Sequence, residues 1–279
     1  MPRRPLALLA LALIGACAAV AVWFAALGVP RGRALDTSAM LTFGGVATAP
    51  LEPSIMGVAH LADPAPFVIG GILLATVALL RRRYLMAALV PVILVGANAT
   101  TQVLQTALAD VRLIELYGVG TVYPGSWPSG HATAAMSLAL CLVLVVGPQV
   151  RALAAVAGAA FAIAVGYALV ALGWHLPSDI VGGYLIAATF TLLGAAALAR
   201  LEADRPERAR GAPAAALVPM RALAACSAAV LALGATVVLV EAPGMTLDAL
   251  EHPTAIAAGV AIAALGLTLT SGLALALRR

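Results

Sequence analysis

Two histidines and an aspartate, each beside a proline- and glycine-bearing break in an apolar chain, are the residues best placed to do chemistry. His175 and Asp179 stand four residues apart in Gly173-Trp174-His175-Leu176-Pro177-Ser178-Asp179. One helical turn would bring such a pair face to face. A carboxylate on one imidazole nitrogen fixes the tautomer and leaves the other nitrogen free to attack. Asp179 also falls at an expected helix start, where a carboxylate is favoured. His131 lies in Tyr123-Pro124-Gly125-Ser126-Trp127-Pro128-Ser129-Gly130-His131-Ala132-Thr133. Ser129-Gly130-His131 opens a helix there, so backbone N–H groups and the serine hydroxyl offer an anion cradle. His131 can then give a proton to a leaving oxygen. A third polar cluster, Gln102, Gln105, Asp110 and Arg112, closes the preceding apolar segment. Two histidines at a helix-start anion site suit phosphoryl transfer through a phosphohistidine, with no metal and no cofactor. A zinc site from the same residues is the weaker reading, because their spacing lacks a familiar zinc pattern.

The elements that must position these residues follow from composition. The chain is 63% hydrophobic and 10% charged, against about a quarter charged in soluble domains. The bilayer must therefore solvate most of it. A membrane helix needs about 20 apolar residues, which gives eight candidate spans at 6–29, 65–80, 85–108, 131–147, 152–173, 179–199, 219–240 and 254–277. The first exceeds the usual length of a signal-peptide core, which favours an uncleaved helix. With the N-terminus inside, thirteen arginines fall on the inner side, and only Arg31, Arg33 and Arg112 fall outside. The positive-inside rule then puts both termini in the cytoplasm and all three polar clusters on the outer face. The net charge of +4 lies at span ends and implies no nucleic-acid partner. Lysine is absent and alanine abundant, pointing to a GC-rich bacterial gene and hence to the inner membrane.

Other residues invite blander readings. Cys17, Cys141 and Cys226 lie in apolar runs and read as small core residues. Trp127 and Trp174 fit an interfacial aromatic belt. His60 and His252 read as loop residues, and Asp110 as a solvated loop charge. Arg112 alone could be an interfacial anchor and Gln105 a helix-to-helix contact. The His175–Asp179 pair could be structural, and His131 a helix-cap residue. The outer loop 30–64 has room for a short interfacial helix near Pro53 to Leu61, with Arg31 and Arg33 able to fold over the site.

Trp127-Pro128-Ser129-Gly130-His131-Ala132-Thr133 and Gly173-Trp174-His175-Leu176-Pro177-Ser178-Asp179-Ile180-Val181-Gly182-Gly183 resemble the second and third motifs of the type 2 phosphatidic acid phosphatase (PAP2) superfamily. The resemblance covers about residues 65–200. It implies His175 as nucleophile, Asp179 as its orienting partner and His131 as general acid, with Ser129 and Gly130 on phosphate. The family's first motif has a lysine, then six residues, then Arg-Pro. The matching positions here are Gln105, Arg112 and Leu113, so the arginine alone survives, and Gln105 becomes a candidate substrate contact. The third motif usually opens with Ser-Arg, where this sequence has Ala168 and Leu169. Two of three phosphate-binding cations are thus missing. Each lost charge-assisted hydrogen bond is worth roughly 1.5–3 kcal/mol.

The expectation is an all-α polytopic membrane bundle. A PAP2-like six-helix core would span 1–200, a cytoplasmic linker 201–213 and a two-helix extension 214–279. The expected activity is dephosphorylation of a lipid phosphate or diphosphate drawn from the bilayer, at the extracytoplasmic face. Two alternatives stay open, the first because of the missing cations. One is a non-hydrolytic relative that binds lipid headgroups or assists envelope assembly. The other is a lipid phosphotransferase.

Overall fold

An apolar run that crosses a bilayer has no water to satisfy its peptide groups, so it must bond internally as a helix. Every regular element among the described residues is helical. The computed structural model describes residues 3–44, 50–109, 125–203 and 253–277. Helix α1 (Arg3–Trp23) ends in a π-helical turn, Phe24–Gly28. There follow α2 (Pro30–Gly44), α3 (Glu52–His60), α4 (Pro64–Leu80), α5 (Tyr84–Ala107), α6 (Gly130–Val145), α7 (Arg151–Ala171), α8 (Pro177–Ala203) and α9 (Pro253–Ala276). Among the described residues five segments are long and apolar enough to cross a membrane: Pro5–Gly28, Tyr84–Ala107, Arg151–Ala171, Pro177–Glu202 and Pro253–Ala276. The pair Glu52–His60 and Pro64–Leu80 bends by 48° and counts as a broken span or a re-entrant loop.

Helix α6 is the hub. It has 16 residues, fewer than the span expected at 131–147, and 12 of them are buried. A helix walled by protein need not match the bilayer thickness on its own. Met136, Leu140 and Leu144 are fully buried in the bundle core. Leu140→Ala would open a cavity costing about 2–5 kcal/mol. Lipid tails are as apolar as leucine, so close packing and interhelical hydrogen bonds hold such a bundle together. The Tyr184 hydroxyl donates to the Ala162 carbonyl at 2.5 Å, joining α8 to α7. The Tyr167 hydroxyl donates to the Gly259 carbonyl at 2.7 Å, joining α7 to α9. Leu13, Ile14, Ile72, Val92 and Val260 stand exposed on the outer helices, a surface suited to lipid.

The two ends of the bundle differ. At one end Arg83 Nη1 donates to the Leu144 carbonyl at 2.8 Å, and Arg151 Nη1 to the Leu277 carbonyl at 3.0 Å. The last turn of α5 and the first turns of α6 and α8 meet at the other end. The arginine-rich turns therefore lie opposite the motif-bearing ones.

The stretch 30–64 departs from the expected loop. Its short helix near Pro53 is present as α3, but Pro30–Gly44 is helical as well. Alongside the Ser38–Thr254 hydroxyl contact at 3.3 Å, Asp36 docks α2. Its Oδ1 accepts the Ser178 backbone N–H at 3.0 Å and its Oδ2 the Ser178 hydroxyl at 2.5 Å. A residue of α2 thus caps the N-terminus of α8. The expected span 219–240, most of the linker 201–213, Asp110, Arg112 and His252 lie outside the described residues.

Candidate active site

Three chain breaks build the site, and the backbone locks two of them together. Helix α7 ends at Ala171, and Gly173 takes a positive φ of 68°, a conformation in which glycine avoids the Cβ clash. The chain then doubles back, and the Leu169 carbonyl accepts the N–H groups of Trp174 (3.0 Å) and His175 (3.3 Å). Pro177 begins α8 with its φ already set for a helix. Across the cleft Ser129 caps α6, its Oγ accepting the Ala132 N–H at 3.2 Å. The Ser129 N–H donates to the Asp179 carbonyl at 3.0 Å. This approach depends on Gly183, where an added Cβ would lie 2.8 Å from the Ser129 carbonyl and 2.9 Å from Thr133 Oγ1. Gln105 Nε2 donates to the Pro128 carbonyl at 2.8 Å and fixes the loop from the α5 side.

His175 Nδ1 donates to Asp179 Oδ2 at 3.3 Å, and the same oxygen accepts the Leu176 N–H at 3.0 Å. Asp179 is fully buried. With Nδ1 on the carboxylate, Nε2 keeps the lone pair. The His131 and His175 rings have centroids 6.5 Å apart, at 59° to each other. His131 Nε2 meets Asp63 Oδ1 at 2.9 Å, and His60 Nδ1 meets Asp63 Oδ2 at 2.9 Å. Trp174 lies against both of the latter rings, 5.7 Å from His60 and 6.2 Å from His131. Partial burial tends to raise the Asp63 carboxyl, but hydrogen bonds from His131 and His60 outweigh it and hold the group below its ordinary value.

These groups surround a cavity of about 880 Å³. Gln105, Gly130, His131, Trp174 and His175 line it, and it extends between α4 and α5 along Phe67, Asn98 and Gln102. Its only titratable lining groups among the described residues are the two histidines. Ser129 lies buried just beneath, engaged in capping.

The structure therefore gathers His131, His175, Asp179, Gly130 and Gln105 around one cavity. Arg112 falls outside the described residues. Arg31 and Arg33 do not line the cavity, and Arg33 Nε donates to the Leu27 carbonyl at 2.7 Å. Leu169 is wholly buried in the core, so that position brings no polar group to the cavity.

Three readings of the sequence change. Trp127 is buried, packing with Ala26 and Leu27 and pressing on Gly182, so it is no belt residue. Trp174 lines the cavity. His60 ends α3 and belongs to the site through Asp63. Asp63 itself went unnoticed in the sequence. Asp-Pro there signals a helix start, and nothing in the spacing ties it to a histidine 68 residues on.

Residues 101–203 match the family model of the PAP2 superfamily. That stretch includes Gln105, Ser129, Gly130, His131, His175 and Asp179, but neither His60 nor Asp63. The first transmembrane PAP2-type phosphatidylglycerolphosphate phosphatase from Bacillus subtilis, a crystal structure, aligns at 19% identity with a TM-score of 0.49. The alignment covers 72% of this chain and 98% of that one. No curated protein matches the sequence.

Proposed function

We propose, from the PAP2 superfamily match over residues 101–203, that this membrane protein dephosphorylates a lipid phosphate or diphosphate. The observation that carries the reading is the pair of imidazoles across one cavity, His175 backed by buried Asp179 and His131 facing it.

His175 Nε2 attacks phosphorus, and the bond from phosphorus to the lipid oxygen breaks. His131 gives its proton to that leaving oxygen. Water then attacks the phosphohistidine, His131 takes a proton from it, and inorganic phosphate departs. Helix-start N–H groups at Gly130 and His131 offer donors for the phosphoryl oxygens. Gln105 supports the loop that carries them. Arg112 is the remaining arginine of the first motif and our candidate for the phosphate cation. The cavity's extension between α4 and α5 suits a substrate that keeps its tails in the bilayer. The arginine-rich turns at the opposite end favour an extracytoplasmic site in a bacterial inner membrane.

The test is phosphate release by the purified protein in detergent, with EDTA present. Polyprenyl diphosphate, phosphatidate and phosphatidylglycerol phosphate make up the panel. Release from at least one substrate, abolished by His175→Ala, is expected. Burial of Leu169 in the core favours the second reading, a headgroup-binding relative without turnover. It predicts no release from any substrate and unchanged lipid binding in His175→Ala.

A further inference from the structure

We propose that Asp63 is the positioning residue of His131, with His60 holding its second oxygen, so that each of the two imidazoles lining the cavity, His131 and His175, has a carboxylate behind it. This rests on the phosphatase reading for its purpose, though not for its geometry.

The first ground is the carboxylate's choice of partners. Asp63 occupies the N-cap of α4, with Pro64 next, yet its side chain makes no capping bond. An aspartate there ordinarily accepts an N–H of the first turn. Asp63 gives that up and spends both oxygens on imidazoles, at 2.9 Å each. The second ground is the mirrored arrangement of the two histidines. His175 places Nδ1 on Asp179, and His131 places Nε2 on Asp63. In each ring the other nitrogen has no partner among the described residues. The third is packing. The Trp174 ring packs against both His60 and His131, with centroids 5.7 and 6.2 Å away.

The duties of the two pairs differ because their surroundings differ. Asp179 is fully buried, and its Oδ2 also accepts a backbone N–H, so part of its charge is already committed. It serves mainly to orient His175. Asp63 is about one-third exposed and sits at the positive end of α4. An ionised carboxylate within hydrogen-bond reach favours the charged imidazole. A general acid must carry its proton before the leaving oxygen develops charge. The groups that bear on His131 are Asp63 and His60 from the turn between α3 and α4, and His175 with Asp179 from the connection into α8. Helix α5 contributes the neutral Gln102 and Gln105. Burial most of all, and then His175 and His60, disfavour a proton on His131, and Asp63 is the nearest group that opposes them.

The chain has four histidines, so ring-labelled histidine gives a spectrum simple enough to assign by single His→Gln variants. The experiment uses the full-length protein in nanodiscs and follows the protonation midpoint of each ring by NMR. Asp63→Asn is expected to lower the His131 midpoint by about one pH unit, leave His175 unmoved, and be largely rescued in Asp63→Glu. In the unmutated protein, His131 should show an exchange-protected ring N–H that vanishes as the carboxylate is protonated. An unmoved His131 midpoint in a folded Asp63→Asn protein overturns the inference. So does a freely exchanging His131 ring N–H in the unmutated protein, which needs no variant to fold. Neither readout requires turnover. Absent phosphate release alongside a shifted His131 sinks the phosphatase reading alone, while turnover with an unmoved His131 sinks this one alone.

Discussion

The backbone N–H of Ser129 donates to the carbonyl of Asp179 at 3.0 Å. This one bond ties the residue that starts α6 to the residue that orients His175. The two histidines therefore cannot drift apart without breaking a buried backbone contact.

That contact depends on Gly183. A Cβ there would fall under 3.0 Å from backbone and side-chain atoms of Ser129 and Thr133. Gly183→Ala should lower stability by about 1–3 kcal/mol, as overpacking does, and should separate α8 from α6. Thermal unfolding in detergent measures it. Gly57→Ala, on α3 with nothing within 4 Å, is the control and should leave stability unchanged or slightly raised, since alanine is the better helix former.

Asp36 caps α8 from another helix, so Asp36→Ala should cost about 0.5–2 kcal/mol, the range for a lost N-cap. Asp36→Asn keeps one acceptor for the Ser178 N–H and should cost less. Thermal unfolding ranks the two. An equal loss in both would show that charge, not the cap, holds α2 against α8.

Asp63 gives the protein a sign in acid. Its folded value is depressed below the ordinary 3.8. Its stabilisation is thus present above that value and is lost as pH falls through the lower, folded one. Unmutated protein should destabilise more steeply below about pH 4 than Asp63→Asn does. Unfolding midpoints from about pH 6 down to about pH 2, a range that starts above the ordinary carboxylate value and reaches well below it, are the measurement. Parallel curves would remove Asp63 as a contributor.

Sequence alone carried the fold a long way, because α1, α5, α7, α8 and α9 are each long apolar runs bounded by charge or proline, and such runs have one structural solution in a bilayer. Helix α2 escaped notice because Arg31, Arg33, Asp36, Thr37 and Ser38 make it too polar for a span. Its docking draws on Asp36 and Ser38, whose targets lie 142 and 216 residues away. His131, His175 and Asp179 were readable for the opposite reason: two of them are four apart, and all three sit in short motifs that start helices. Asp63 and His60 were not, since a side-chain contact between distant turns leaves no periodic trace. Trp127 misled because an indole next to a membrane boundary usually marks an interface, and here Gly182 makes room for it inside the bundle.

The central claim is that His175 takes up phosphorus, and trapping the phosphoenzyme tests it most directly. Purified full-length protein would be mixed with a lipid phosphate labelled in its phosphoryl group, with EDTA present. Quenching in alkali preserves phosphohistidine, and digestion then locates the label. The account predicts label on the peptide containing His175, and none in His175→Ala. Label on another residue, or phosphate release that survives His175→Ala, would contradict it.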